Sequence, residues 1–176
     1  VITLPDELVT PVGVNLPIPV TYNNPDLSYT WSPATYLSCS NCAMPSIVEP
    51  RFSTTYTVRV TDTHGCESTD SIRLITVCNN LNYFMPNTFS PNGDGQNDWF
   101  YPRGSFINKV QSLRIFNRWG EMVFEKKSFA PNNQTEGWNG LYKGKPAGQD
   151  VYVYILELIC ENAQIVAIKG NVTLIR

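Results

Sequence analysis

Two groups of residues carry chemistry by type and spacing. Cys39 and Cys42 form a C-x-x-C, followed by Cys66, Cys78 and Cys160, with His64 as the sole histidine. A zinc site needs a second ligand pair at similar spacing, and Cys66 and Cys78 are too far apart to supply it. A thioredoxin-like motif needs a helix after Cys39, and none is predicted there. A local disulfide between Cys39 and Cys42 fits better. Cys78 and Cys160 form the favoured long-range pair, tying the start of the second half to a late strand and leaving Cys66 over. Spacing alone leaves the connectivity open.

The second group lies in Pro86-Asn87-Thr88-Phe89-Ser90-Pro91-Asn92-Gly93-Asp94-Gly95-Gln96-Asn97-Asp98. Proline lacks a backbone donor and glycine favours turns, so this segment is a loop. Asn92, Asp94 and Asp98 are candidate calcium ligands: alternating oxygens precede Gly95 at a sharp turn. Ser90 stands where a calcium loop begins with Asp, and Tyr101 where it ends with Glu. Asn and Asp capping their own backbone as Asx-turns explain the composition equally well.

No catalytic constellation is present. His64 sits alone in a turn and lacks a Ser–Asp arrangement. Gly144-Lys145-Pro146 lacks the glycine spacing and the Ser/Thr of a phosphate loop. The chain therefore reads as non-enzymatic.

These residues need elements to position them. The 176-residue chain has a net charge of −2, which offers no electrostatic case for nucleic acid. Aromatics make up 12% and charged residues only 16%, and Tyr, Thr and Val cluster together, which predicts an all-β protein. The longest apolar run, Val151 to Leu156, falls far short of the roughly 20 residues that cross a bilayer. Asp6 and Glu7 interrupt any secretory leader, and the first residue is Val. The chain is expected to be a piece of a longer protein with its export leader upstream.

Residues 1–78 read as short strands. Leu16 to Tyr22 is a proline-containing edge strand, Leu27 to Ser32 a strand around Trp31, and Thr54 to Thr61 a strand with Tyr56, Val58 and Val60 on one face. Asp62-Thr63-His64-Gly65 is a turn, and Glu67 to Val77 returns. Together these predict a small immunoglobulin-like sandwich. Residues 79–176 predict a second sandwich. Val110 to Arg118 turns at Trp119-Gly120 into Glu121 to Glu125. Ser128 to Gly137 is a polar loop. Asp150 to Ile159, apolar on both faces, is the expected central strand, closed by Gln164 to Ile175. Trp119 and Trp138 are both expected in the core.

Thr54 to Cys66, with Trp31-Ser32-Pro33 upstream, resembles the late strands of PKD-type domains, which act as spacers or binding units in bacterial surface proteins. The second half carries a more specific resemblance. The loop up to Asp98 is followed by Ile115-Phe116-Asn117-Arg118-Trp119-Gly120, then Gly137-Trp138-Asn139-Gly140. Gly144-Lys145-Pro146-Ala147-Gly148 and Val151-Tyr152-Val153-Tyr154 come next, and the chain closes on Lys169 to Arg176. In this order the motifs resemble the gliding-motility-associated C-terminal domain, the type B sorting domain of the type IX secretion system of Bacteroidetes, over about residues 82–176. Asn139 stands where that family usually has Asp, which weakens any metal role for this turn.

The resemblance implies a cargo domain recognised in the periplasm and carried across the outer membrane to the cell surface. It implies an outer-membrane partner of the PorP/SprF type together with the type IX translocon. Type B cargo is similar to the large mobile gliding adhesin SprB, so the chain resembles the end of a secreted adhesin. Candidate recognition residues are Arg118, Lys169, Leu174, Ile175 and Arg176. The last strand is expected either to offer an edge for strand addition or merely to close the sandwich. Arg118 has a structural alternative, pairing with a carboxylate or stacking on an aromatic. The competing functional reading is a carbohydrate-binding appendage of a secreted hydrolase, with exposed Trp and Tyr as a sugar platform.

Overall fold

Alternation along Thr54-Thr55-Tyr56-Thr57-Val58-Arg59-Val60 demands a strand with one buried face, and this is the strand that organises the first unit. The computed structural model describes residues 2–22 and 27–176. They are all-β: among them the only helical segment is a 3₁₀ turn at Gln134–Glu136. The chain divides into two compact units, Val1–Val77 and Cys78–Arg176.

The first unit contains β1 (Ile2–Thr3), β2 (Glu7–Pro11), β3 (Leu16–Pro17), β4 (Thr21–Tyr22), β5 (Leu27–Ser32), β6 (Ser46–Ile47), β7 (Thr54–Asp62) and β8 (Glu67–Val77). Its main sheet has the order β2-β8-β7-β5, with β2 parallel to β8 and the other pairs antiparallel. Trp31 lies across from Val58, and Tyr56 across from Ile72. Short pairs β1–β4 and β3–β6 contribute Ile2 and Ile47 to the same core, which makes the unit sandwich-like.

The polar ends of Trp31 and Tyr56 are satisfied, as burial requires. Trp31 Nε1 donates to the Cys42 carbonyl at 3.0 Å, and Tyr56 Oη to the Thr35 carbonyl at 2.8 Å. Burial pushes the Tyr56 hydroxyl up to about 12, helped by Tyr36. The expected strand Leu16 to Tyr22 is two separate pieces. Pro17 and Pro19 cannot donate to a ladder, and Ile18 between them drops into the core, 2% exposed.

The second unit contains β9 (Tyr83–Phe84), β10 (Thr88–Phe89), β11 (Arg103–Gly104), β12 (Ile107–Phe116), β13 (Met122–Phe129), β14 (Leu141–Tyr142), β15 (Lys145–Pro146), β16 (Asp150–Cys160) and β17 (Ile165–Leu174). Its five-stranded sheet has the order β10-β17-β16-β12-β13. The strand expected to be central is central, laddered to β12 on one side and β17 on the other. Its two faces differ, however. Tyr152, Tyr154, Leu156 and Leu158 are buried, while Val151, Val153 and Ile155 face outward and are only partly covered. A hydrophobic core forms on the buried side, where Phe89, Phe100 and Trp138 from the long connections pack down.

The β12–β13 hairpin runs further than expected, with Phe129 buried at its end. The expected polar loop after it is therefore shortened, and Asn133 caps the 3₁₀ turn inside it.

Candidate functional site

The separated sequence motifs of the second unit meet around one aromatic cluster. Phe100 and Trp138 exchange backbone hydrogen bonds of 2.8 and 2.9 Å, and both rings are fully buried in the same core. Phe89 lies 5.2 Å from the Trp138 ring, Phe100 5.2 Å from Tyr154, and Trp138 meets Tyr152 edge-on at 4.9 Å. Trp138 is fully buried and its Nε1 donates to the Leu141 carbonyl at 2.8 Å. It is a core residue, as expected. Gly140 beside it adopts φ +74°, and a Cβ there would come 2.6 Å from Pro91 Cγ and 3.2 Å from Leu174. The first loop, the Gly-Trp-Asn-Gly turn and the last strand thus close on one point.

The loop after β10 folds on itself. Asp98 accepts from the Gly93 and Gly95 amides through its two oxygens, at 2.7 and 2.8 Å. Asn92 Oδ1 accepts from the Asp94 amide at 3.0 Å, and Asp94 accepts from the Gln96 amide at 2.8 Å and the Asn92 side-chain amide at 2.9 Å. These bonds, the Gln96 amide first, hold the Asp94 carboxyl below its ordinary range. The three candidate calcium ligands are therefore neighbours, and their oxygens serve backbone donors in an Asx-turn pattern. Among the described residues no group of three His, Cys, Asp or Glu stands close enough to hold a metal ion.

The β12–β13 turn overturns one expectation. Trp119 is not core: it is 80% exposed. It sits at the tip of a hairpin whose neighbours are all engaged. Asn117 Oδ1 accepts from the Trp119 and Glu121 amides at 3.1 and 2.9 Å, and Gly120 turns the chain at φ +80°. Arg118 forks onto Asp150 at 2.6 and 2.5 Å, so the carboxylate-pairing alternative describes it. Its guanidinium also lies 5.6 Å from the Trp119 ring centroid. The Arg118 bond and the Val151 amide hold the Asp150 carboxyl below its usual range. Glu121 is held low chiefly by the Tyr142 hydroxyl that donates to it, and it also takes Lys143 at 3.4 Å and Asn117 Nδ2 at 3.1 Å. Beside this tip opens a cleft of ≈ 730 Å³, walled by Trp119, Val123, Tyr142, Lys145 and Ala147.

The C-terminal candidates separate. Lys169 and Arg118 line one shallow depression on the outward sheet face, with Phe116, Val153 and Ile155. Leu174 is fully buried, so its side chain is core rather than a surface contact. Ile175 is 45% exposed. Arg176 folds back and donates to the Ala147 and Gly140 carbonyls at 2.6 and 3.3 Å. The end of β17 is not an open edge: Thr88 and Phe89 of β10 pair in parallel with Thr173 and Leu174. Only the stretch before Thr173 lacks a strand on that side among the described residues. The sulfurs of Cys39 and Cys42 are bonded, as are those of Cys78 and Cys160, while Cys66 is free and exposed.

Residues 83–174 match the CHU_C type IX secretion signal domain. The chain belongs to that family. No curated protein matches it. Among solved structures it is similar to the titin domains Z1Z2 in complex with telethonin, at 10% identity and TM-score 0.39, covering 99% of this chain and 94% of that one. It is similar to dimeric latent PorU from Porphyromonas gingivalis at 11% identity and TM-score 0.35, covering 97% of this chain and 19% of that one. DIP-gamma IG1+IG2 matches at 12% identity and TM-score 0.36, covering 96% of this chain and 92% of that one. Likeness at these scores carries no weight for function.

A type IX secretion signal domain is a non-catalytic kind of domain that engages the type IX machinery and directs export to the cell surface. No helix of the described residues is long and apolar enough to cross a membrane. Within the secretion signal domain, the motif aromatics Phe89, Trp138, Tyr152 and Tyr154 are buried in one cluster. Trp119 is the motif tryptophan left facing solvent, and no local signal separates it from Trp138, since both precede or follow glycine in a turn.

Proposed function

We propose that this chain is the C-terminal region of a secreted, non-enzymatic surface adhesin of gliding motility, and that the second unit is its export signal. The observation that carries the reading is the family match over residues 83–174, whose motifs converge on a single folded unit. The partners are the type IX translocon and an outer-membrane protein of the PorP/SprF type. The first unit, Val1–Val77, is a PKD-like module that spaces or binds.

Recognition acts on the folded domain, because the candidate Leu174 is inside it and Arg176 ties the terminus to the Gly140 and Ala147 carbonyls. Lys169, Ile175 and the stretch of β17 before Thr173 are the accessible parts of the C-terminal segment. A passenger fused to residues 1–176 is expected at the surface of a bacterium with a working type IX system. Deleting Ile175 and Arg176 is expected to abolish export while the protein stays folded. Normal export of the folded truncation refutes recognition through this terminus, and intracellular retention of the intact fusion refutes the export reading.

A further inference from the structure

An indole held 80% in water on a rigid hairpin has no folding role to explain it, since burial is what makes Trp stabilising. The tip is pre-organised by the Asn117 cap, the Arg118–Asp150 fork and the Glu121–Tyr142–Lys143 cluster. Pre-organisation lowers the ordering cost of binding, and Trp is among the residue types enriched at binding hot spots. The adjoining cleft, ≈ 730 Å³, lies within the range that holds a few side chains.

The polar inventory of the cleft selects the occupant. Glu121 and Asp150 are already neutralised, by Lys143 and Arg118 respectively. Asn117 spends its oxygen on the Trp119 and Glu121 amides and its amide nitrogen on Glu121. A sugar needs convergent free donors and acceptors for its hydroxyls, and these groups are committed. What the cleft still offers is an indole face, the apolar walls of Val123, Pro146 and Ala147, the single amide of Gln149, and Lys145, which has no ion-pair partner among the described residues.

We propose that Trp119 and this cleft bind a polypeptide segment of a partner, taking an apolar or aromatic side chain against the indole and an acidic side chain at Lys145. That the occupant is a protein met during export rests on the reading above; the chemistry of the site does not.

A random heptapeptide phage library selected on the full chain tests it, with selected peptides titrated by fluorescence anisotropy. Enriched peptides are expected to pair an aromatic or aliphatic residue with Asp or Glu. Their affinity is expected to fall about tenfold or more in Trp119→Ala and in Lys145→Glu, both checked for an unchanged melting temperature. No enrichment, peptides without an acidic residue, or binding indifferent to Trp119→Ala overturns the proposal. So does a glycan-array signal that Trp119→Ala abolishes, which places a sugar in the cleft. Export of the passenger fusion is followed in parallel. Peptide binding with an unexported wild-type fusion refutes the export reading and leaves the site standing. Normal export of the Trp119→Ala fusion overturns the site's role in export.

Discussion

Arg118 and Asp150, 32 residues apart, meet through two near-parallel hydrogen bonds of 2.6 and 2.5 Å that join the β12–β13 turn to the start of β16. The fork orients the hairpin on which Trp119 stands. The pair is solvent-exposed, so it contributes little to global stability. Arg118→Lys keeps the charge and loses the fork. It is expected to leave the melting temperature nearly unchanged while speeding amide exchange at residues 117–121. Unchanged exchange there would mean the fork does not order the tip.

The same turn should respond to acid. Asp150 and Glu121 have folded pKa values below the ordinary carboxylate range, held there first by Arg118 and by Tyr142 respectively. A depressed carboxylate stabilises above its unfolded pKa, about 4, and that contribution fades as pH falls through the folded value. Trp119 emission is therefore expected to be flat from neutral pH down to about pH 4 and to change below it. A transition near the histidine range would contradict this assignment.

Two tryptophans of the signal domain, Trp119 and Trp138, should separate cleanly. Trp138→Ala removes a fully buried ring and is expected to cost about 3–5 kcal/mol, read by denaturant unfolding. Trp119→Ala is expected to lie within about 0.5 kcal/mol of wild type. Comparable losses would mean the indole at 119 packs in solution.

Gly140→Ala forces a Cβ toward Pro91 Cγ at 2.6 Å and strains φ +74°, whereas Gly144→Ala, at φ +76°, meets nothing within 4 Å. Both are expected to destabilise, Gly140→Ala by more than the roughly 1 kcal/mol of backbone strain shared by the two. Equal losses would show that the loop around Pro91 yields.

The loop of Asn92, Asp94 and Asp98 spends its oxygens on its own amides. Asp98→Ala is expected to cost about 1 kcal/mol, since water can reach the two exposed amides it leaves, and chelation of calcium is expected to leave the melting temperature where it is. A large calcium-dependent rise would support the cation reading instead.

Much of this protein is readable from local pattern. Alternation at Tyr56, Val58 and Val60 marks a strand and its buried face, because side-chain direction in a strand has period two whatever surrounds it. The apolar run from Val151 marks the middle of a sheet for the same kind of reason, and the ordered motifs of residues 83–174 mark the family. Short pieces such as Glu7–Pro11 and Thr88–Phe89 leave no such trace, since two to five residues pair only because a long neighbour offers an edge.

Burial at turns is the part that tertiary structure alone decided. Trp119 and Trp138 each sit beside glycine in a turn, and in sequence they look alike. Trp138 is covered because Phe89, Phe100 and Tyr152 arrive from elsewhere in the chain, while among the described residues none covers the indole at the β12–β13 tip. Leu174 is inside and Ile175 largely outside for the same reason: coverage of a side chain is set by distant segments, and their arrival is not written in its neighbours.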